Sequence, residues 1–96
     1  MLALEDAAGQ RAVILTSDLL GMPQSIYRNT CKALKKKFGL ASEQIILSAS
    51  HTHCGPVLRG ALYDIYPLDD AQRALVEQYS SKLEAKIIET VGQALA

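Results

Sequence analysis

Histidine and cysteine are scarce in this 96-residue chain, two of each, and that scarcity bounds its chemistry before any motif is read. Cys31 and Cys54 form no CxxC pair and no dense framework, which argues against a disulfide scaffold. An apolar run approaching the ~18 residues of a membrane span is missing, and so is a basic-then-apolar leader. Charge of one sign is missing too: ten Lys and Arg offset ten Asp and Glu. Nucleic-acid binding usually needs a clear basic excess, so that partner class is set aside. The chain shows no repeat, low-complexity stretch or internal linker. One small domain is expected, burying roughly 60–65% of the surface its unfolded form exposes. The opening Leu2-Ala3-Leu4-Glu5 reads as entry into mid-strand, so the 96 residues are expected to be one partial domain of a longer protein.

Within those bounds the pattern is α/β. Leu2–Asp6 and Arg11–Ser17 read as extended runs joined through Gly9, which can take positive φ, and they predict a β-hairpin. Ala12-Val13-Ile14-Leu15 is apolar on both faces, as an interior strand should be. Gly21 and Pro23 mark the turn into a helix, with Pro23 suited to its first position. Tyr27, Cys31, Leu34 and Phe38 recur at helical spacing. Gly39 is the predicted stop, and Lys35-Lys36-Lys37 suits the last turn, where positive charge meets the helix dipole. A strand over Gln44–Ser50 follows, so Arg11–Ser17 and Gln44–Ser50 should be parallel with a right-handed crossover. After a loop through Leu68, Asp69 and Gln72 predict a capping box. The helix that follows should bury Val76, Tyr79, Leu83, Ile87, Val91 and Leu95. The expected fold is a hairpin, one right-handed βαβ crossover and a C-terminal helix packed on a small mixed sheet.

His51 and His53 are the chain's two histidines, placed where the apolar run from Ile45 ends and just before Cys54-Gly55-Pro56. On an extended strand, residues two apart share a face, so both rings should leave the sheet on one side. Ligands of open α/β sheets collect outside the carboxyl ends of parallel strands. Thr16, Ser17 and Asp18 end one such strand, and Ser50 to His53 end the other. Asp18 and His51 should therefore meet at one edge, with Asp18 either orienting the imidazole or capping the next helix. Zinc takes three or four protein ligands, so two imidazoles are half of a centre. Plain loop histidines bonded to backbone are the alternative. Cys54 could act as a nucleophile with a histidine base, or simply pack. Arg59 could meet an anionic or carbonyl group of a substrate, or be a solvated loop arginine. Tyr63 and Tyr66 could line a pocket or only pack their loop.

The segment Ser50-His51-Thr52-His53-Cys54-Gly55-Pro56 after an apolar strand, with Leu15-Thr16-Ser17-Asp18-Leu19-Leu20-Gly21 upstream, resembles the neutral/alkaline ceramidase family. Members carry an (A/S/T)-H-T-H-S-G-P segment and a strand ending in S-x-D-L. The likeness runs through nearly the whole chain, and its histidine element is the more specific part. It implies a zinc-dependent amidohydrolase that cleaves the N-acyl bond of ceramide or a related lipid amide. By the same resemblance, His51 would be a zinc ligand and His53 would face the substrate and support charge on the carbonyl oxygen. The family's remaining ligands, a histidine, a glutamate and a tyrosine, lie far downstream, so the rest of a parent chain would be needed to complete the site. Cys54 stands where the family usually has serine, and Val57-Leu58 replaces small residues. A bulkier loop there narrows the mouth and points toward amides other than ceramide. A non-catalytic interaction module built on the same framework is the rival from another class.

Overall fold

A computed structural model of the chain describes residues 1–61 and 65–96. Its elements run β1 (Leu2–Glu5), β2 (Arg11–Ser17), α1 (Gln24–Phe38), a 3-10 turn at Ser42–Gln44, β3 (Ile45–Ala49) and α2 (Asp70–Leu95). The sheet order is β1-β2-β3. β1 is antiparallel to β2, with Leu2 opposite Ile14 and Glu5 opposite Arg11. β3 is parallel to β2, with Val13 beside Ile45 and Ser17 beside Ala49. This is the small α/β arrangement that the hydrophobic pattern predicts.

Local chemistry explains most of the element boundaries. Between β1 and β2, the Asp6 carboxylate accepts from the amides of Ala8 and Gln10 at 2.9 and 2.8 Å, while Gly9 takes φ 79°. α1 stops at Gly39, which adopts φ 72° and donates its N–H to the Lys35 carbonyl, closing the end as a left-handed cap does. Pro23 sits one residue ahead of its expected place, as the N-cap rather than the first helical residue. α2 opens on a reciprocal box: the Asp69 carboxylate accepts from the Gln72 amide at 2.7 Å, and the Gln72 side chain accepts from the Asp69 amide at 3.0 Å.

Both helices pack on one face of the sheet. Val13, Leu15 and Ile45 from the strands meet Leu34 of α1, Leu40 after it, and Ile87 and Val91 of α2. Gly92 permits the helices to approach closely, since a Cβ there would lie 2.9 Å from Cζ of Phe38. The buried stripes are rotated from those expected. α1 buries Ile26, Thr30 and Leu34, and α2 buries Val76, Ser80, Ile87 and Val91. Tyr79, expected inside, is exposed.

The opposite face of the sheet is bare. Leu2, Ile14 and Ile46 stand side by side in register across three strands, with Leu2 and Ile46 each more than half exposed. The two faces should respond differently to substitution. Leu34→Ala, at a fully buried site, is expected to cost about 2–5 kcal/mol. Ile46→Lys, on the open face, should change stability by no more than about 0.5 kcal/mol. Urea unfolding of the two variants measures both, and equal losses would contradict this assignment of faces.

Candidate functional site

The carboxyl edge of the parallel pair builds the site. The last rung of the ladder is the Ser50 amide donating to the Ser17 carbonyl at 2.9 Å, and β3 itself ends at Ala49. His51 then takes φ 63°, the only non-glycine positive φ among the described residues. Strand alternation therefore does not set the direction of the two histidines, contrary to the sequence expectation. A left-handed residue turns the chain instead, and the rings still come together: their centroids are 5.1 Å apart with planes at 84°. A bulky residue in this region is strained by about 1–3 kcal/mol, and such strain clusters at functional positions.

His51 is oriented from the end of β2. Its Nδ1 lies 2.7 Å from the Leu20 carbonyl oxygen. A carbonyl can only accept, so Nδ1 carries the proton, and the neutral ring keeps its lone pair on Nε2. Metal-bound histidines usually have their second nitrogen held in this way. Leu19, the neighbour of that carbonyl, is buried with Ile26 and Leu58, which anchors the segment that holds the ring.

After the histidines the chain folds back on the strand ends. The Cys54 amide donates to Thr52 Oγ1 at 3.3 Å. Gly55 lies so close to β2 that a Cβ there would stand 3.3 Å from the Asp18 carbonyl oxygen. Leu58 then plugs into the core at 3% exposure. The result is a hollow of about 630 Å³ whose wall includes His51, Thr52 and His53 together with Leu20, Met22, Val57, Leu58, Ile65 and Tyr66. Its size lies within the range of small-molecule sites, and a mostly apolar wall with a few polar groups is their usual make-up.

The remaining expected residues are distributed differently. Asp18 is exposed and lines a separate hollow of about 260 Å³ with Thr16, Ser17, Ser48 and Ser50. The group that holds His51 is the Leu20 carbonyl rather than Asp18, and the N-cap of α1 is Pro23. Arg59 points to α2: its guanidinium donates to Glu77 at 2.6 Å, Glu84 at 2.8 Å and Ser81 at 2.9 Å. Those carboxylates, Glu77 foremost, push its pKa up further, and its donors are engaged away from the hollow. Cys54 is exposed and does not line the hollow. Tyr66 does line it, whereas Tyr63 and Asp64 lie outside the described residues. The three lysines form an exposed helix end. The decisive residue that sequence reasoning missed is Leu20, which acts through a backbone carbonyl, a group every residue carries.

Two imidazole nitrogens offer half of the shell that zinc takes. The two rings meet edge to face with centroids 5.1 Å apart, the geometry of a direct ring–ring contact. Among the described residues, no group of three or more His, Cys, Asp or Glu side chains could hold an ion. No helix among them is long and apolar enough to cross a membrane. Comparison with protein-family models, curated proteins and solved structures finds no match for this chain.

Proposed function

We propose that this chain supplies two imidazoles and an apolar acyl-binding wall to a zinc-dependent amide-hydrolysing site similar to that of the neutral/alkaline ceramidases. The observation that carries the reading is His51 with Nδ1 fixed on the Leu20 carbonyl, its Nε2 free, beside His53 at an apolar hollow. In this reading His51 Nε2 holds the metal. His53 hydrogen-bonds the amide carbonyl oxygen and supports the negative charge that grows there in the transition state. Leu20, Met22, Val57, Leu58 and Ile65 receive the hydrocarbon of the acyl group, excluding water from the bond to be cut. Zinc, when bound, polarises the carbonyl and lowers the pKa of water to about 7. The other metal donors come from outside these 96 residues.

Turnover of an N-acyl amide by the full-length protein tests the reading. Chelation should abolish hydrolysis and added Zn2+ restore it, while alkylation of Cys54 should leave the rate unchanged. The reverse pattern would assign the chemistry to the thiol. A second reading, a non-catalytic interaction module, is favoured by a different observation: the uncovered row of Leu2, Ile14 and Ile46. Under it, neither reagent changes any activity, because none is found.

A further inference from the structure

Ten basic residues balance ten acidic ones over the whole chain, yet the basic ones are unevenly placed. α1 carries five of them, Arg28, Lys32, Lys35, Lys36 and Lys37, and contains no Asp or Glu. All five are exposed. Arg28, Lys32 and Lys35 follow at spacings of four and three, which sets them on one face of the helix. That face lies opposite Ile26, Thr30 and Leu34, the residues that α1 buries. Arg11, Arg59 and Lys86 have carboxylate partners; among the described residues, Arg28, Lys32, Lys35 and Lys36 form no ion pair. Acid reaches α1 at its flanks. Glu84 accepts from Asn29 and is held by Arg59, and the charge of Glu43 acts on Tyr27.

Like charges one turn apart repel each other along a helix, and an anionic partner relieves that repulsion. What adjoins the stripe distinguishes one such partner from another. The apolar hollow abuts the start of α1: Met22 and the N-cap Pro23 line it, as does Gly60, whose Cβ would lie 3.9 Å from Ser25 Oγ. Arg28 stands roughly 6 Å further along the helix axis, and Lys35 about 10 Å beyond it. Ile65, on the wall of the hollow, is 65% exposed. A nucleic acid would engage the cations and leave the apolar wall bare. An anionic bilayer suits both, with headgroups against the cations and hydrocarbon beside the hollow. Four or more Lys and Arg on an amphipathic helix are the usual mark of such a surface, each cation strengthening binding roughly five-fold.

We propose that the outward face of α1 docks the protein on an anionic lipid bilayer, from which the hollow draws its amide. The second half of this rests on the amide-hydrolysing reading, and the docking is measured without it. Co-sedimentation of the full-length protein with phosphatidylcholine vesicles containing phosphatidylserine is the probe. The expected result is binding to these vesicles, none to phosphatidylcholine alone, and release as NaCl approaches about 1 M, where the screening length falls to about 3 Å. Lys32→Gln with Lys35→Gln should weaken binding roughly 30-fold. Lys82→Gln with Lys86→Gln, an equal loss of charge from exposed positions of α2, should leave it unchanged. Circular dichroism confirms that both variants are folded. The α1 variant should cleave a water-soluble short-chain N-acyl amide at the normal rate, and a vesicle-borne one with a raised KM. Equal weakening by the two double variants reduces the stripe to net charge and overturns the proposal. Equal binding to uncharged vesicles, or preference for a DNA oligonucleotide over the anionic ones, overturns it too. Binding to anionic vesicles with neither amide cleaved overturns the amide reading and leaves the docking face standing. Cleavage of the soluble amide without vesicle binding does the opposite.

Discussion

In the full-length protein, His53→Ala should leave bound zinc near its normal content while turnover falls by about 10²–10³, the usual cost of removing one donor to a developing oxyanion. His51→Asn should lose the metal and the activity together. The two histidines differ in what holds them. His51 has its Nδ1 engaged by the Leu20 carbonyl, which fixes both ring direction and tautomer and leaves the lone pair on Nε2. Among the described residues His53 forms no such backbone bond; its ring stands against His51 and lines the hollow, where an amide would lie. Asparagine is the informative replacement at His51 because it accepts the left-handed backbone, whereas alanine would add strain to the loss of the ring. Metal analysis alongside steady-state kinetics separates the roles. Loss of metal from both variants would make His53 a second ligand rather than a group acting on substrate. Retention of activity by His51→Asn would remove the basis of the assignment.

The framework of the fold was legible because its signals are local. Gly9 and Asp6 close the hairpin, Gly39 caps α1, and Asp69 with Gln72 opens α2; each needs only a few neighbouring residues to state its geometry. The parallel pairing of β2 and β3 followed from strand, helix, strand with short connections. Helix rotation was less legible. The stripes were expected to follow the larger apolar side chains, Tyr27 and Tyr79 among them, yet Thr30 and Ser80 are fully buried while Tyr79 is exposed. Ser80 faces inward because its hydroxyl accepts the Arg59 amide at 2.9 Å, a partner 21 residues away that no periodicity contains.

The site divides in the same manner. That the strand ends gather polar residues, and that His51 and His53 sit among them, is visible in the sequence. The reason the rings approach each other is not. It depends on a positive φ at His51 and on an accepting carbonyl, that of Leu20, just past the end of the neighbouring strand, both of which are backbone properties. Asp18 illustrates the converse: its side chain chemistry suggested an orienting carboxylate, but the place was taken by a main-chain oxygen two residues later.

Arg59→Ala is expected to destabilise the protein by about 1–3 kcal/mol and to open the wall of the hollow. One guanidinium holds three acceptors on α2: Glu77, Ser81 and Glu84. Glu84 also accepts from Asn29 of α1 at 3.1 Å, so the side chain ties the loop to both helices. The magnitude follows from burial. Exposed pairs contribute about 0–1 kcal/mol, and breaking a fully buried pair costs about 3–5 kcal/mol. Here Arg59 and Glu84 are 22% and 18% exposed while Glu77 is 55% exposed, so solvent screens the second contact more than the first. Arg59→Lys should recover only part of the loss, since one ammonium cannot span acceptors that a planar fork reaches together. The consequence for the hollow comes through the neighbours. Leu58 is buried beside Leu19 and Ile26, the Arg59 amide rests on Ser80, and the Ala61 amide closes onto the Leu58 carbonyl. With the side chain gone, this segment should open locally before the sheet does. Amide exchange at Arg59 and Ala61 should then accelerate by about 10–100-fold, the factor that 1.4–2.8 kcal/mol of lost local stability produces. Exchange in β2, whose strand sits at the centre of the sheet, should quicken only through global unfolding. Equal acceleration in β2 and the loop would mean that Arg59 stabilises the whole fold without a local role at the hollow, and an unchanged loop would mean that Leu58 alone holds the wall in place.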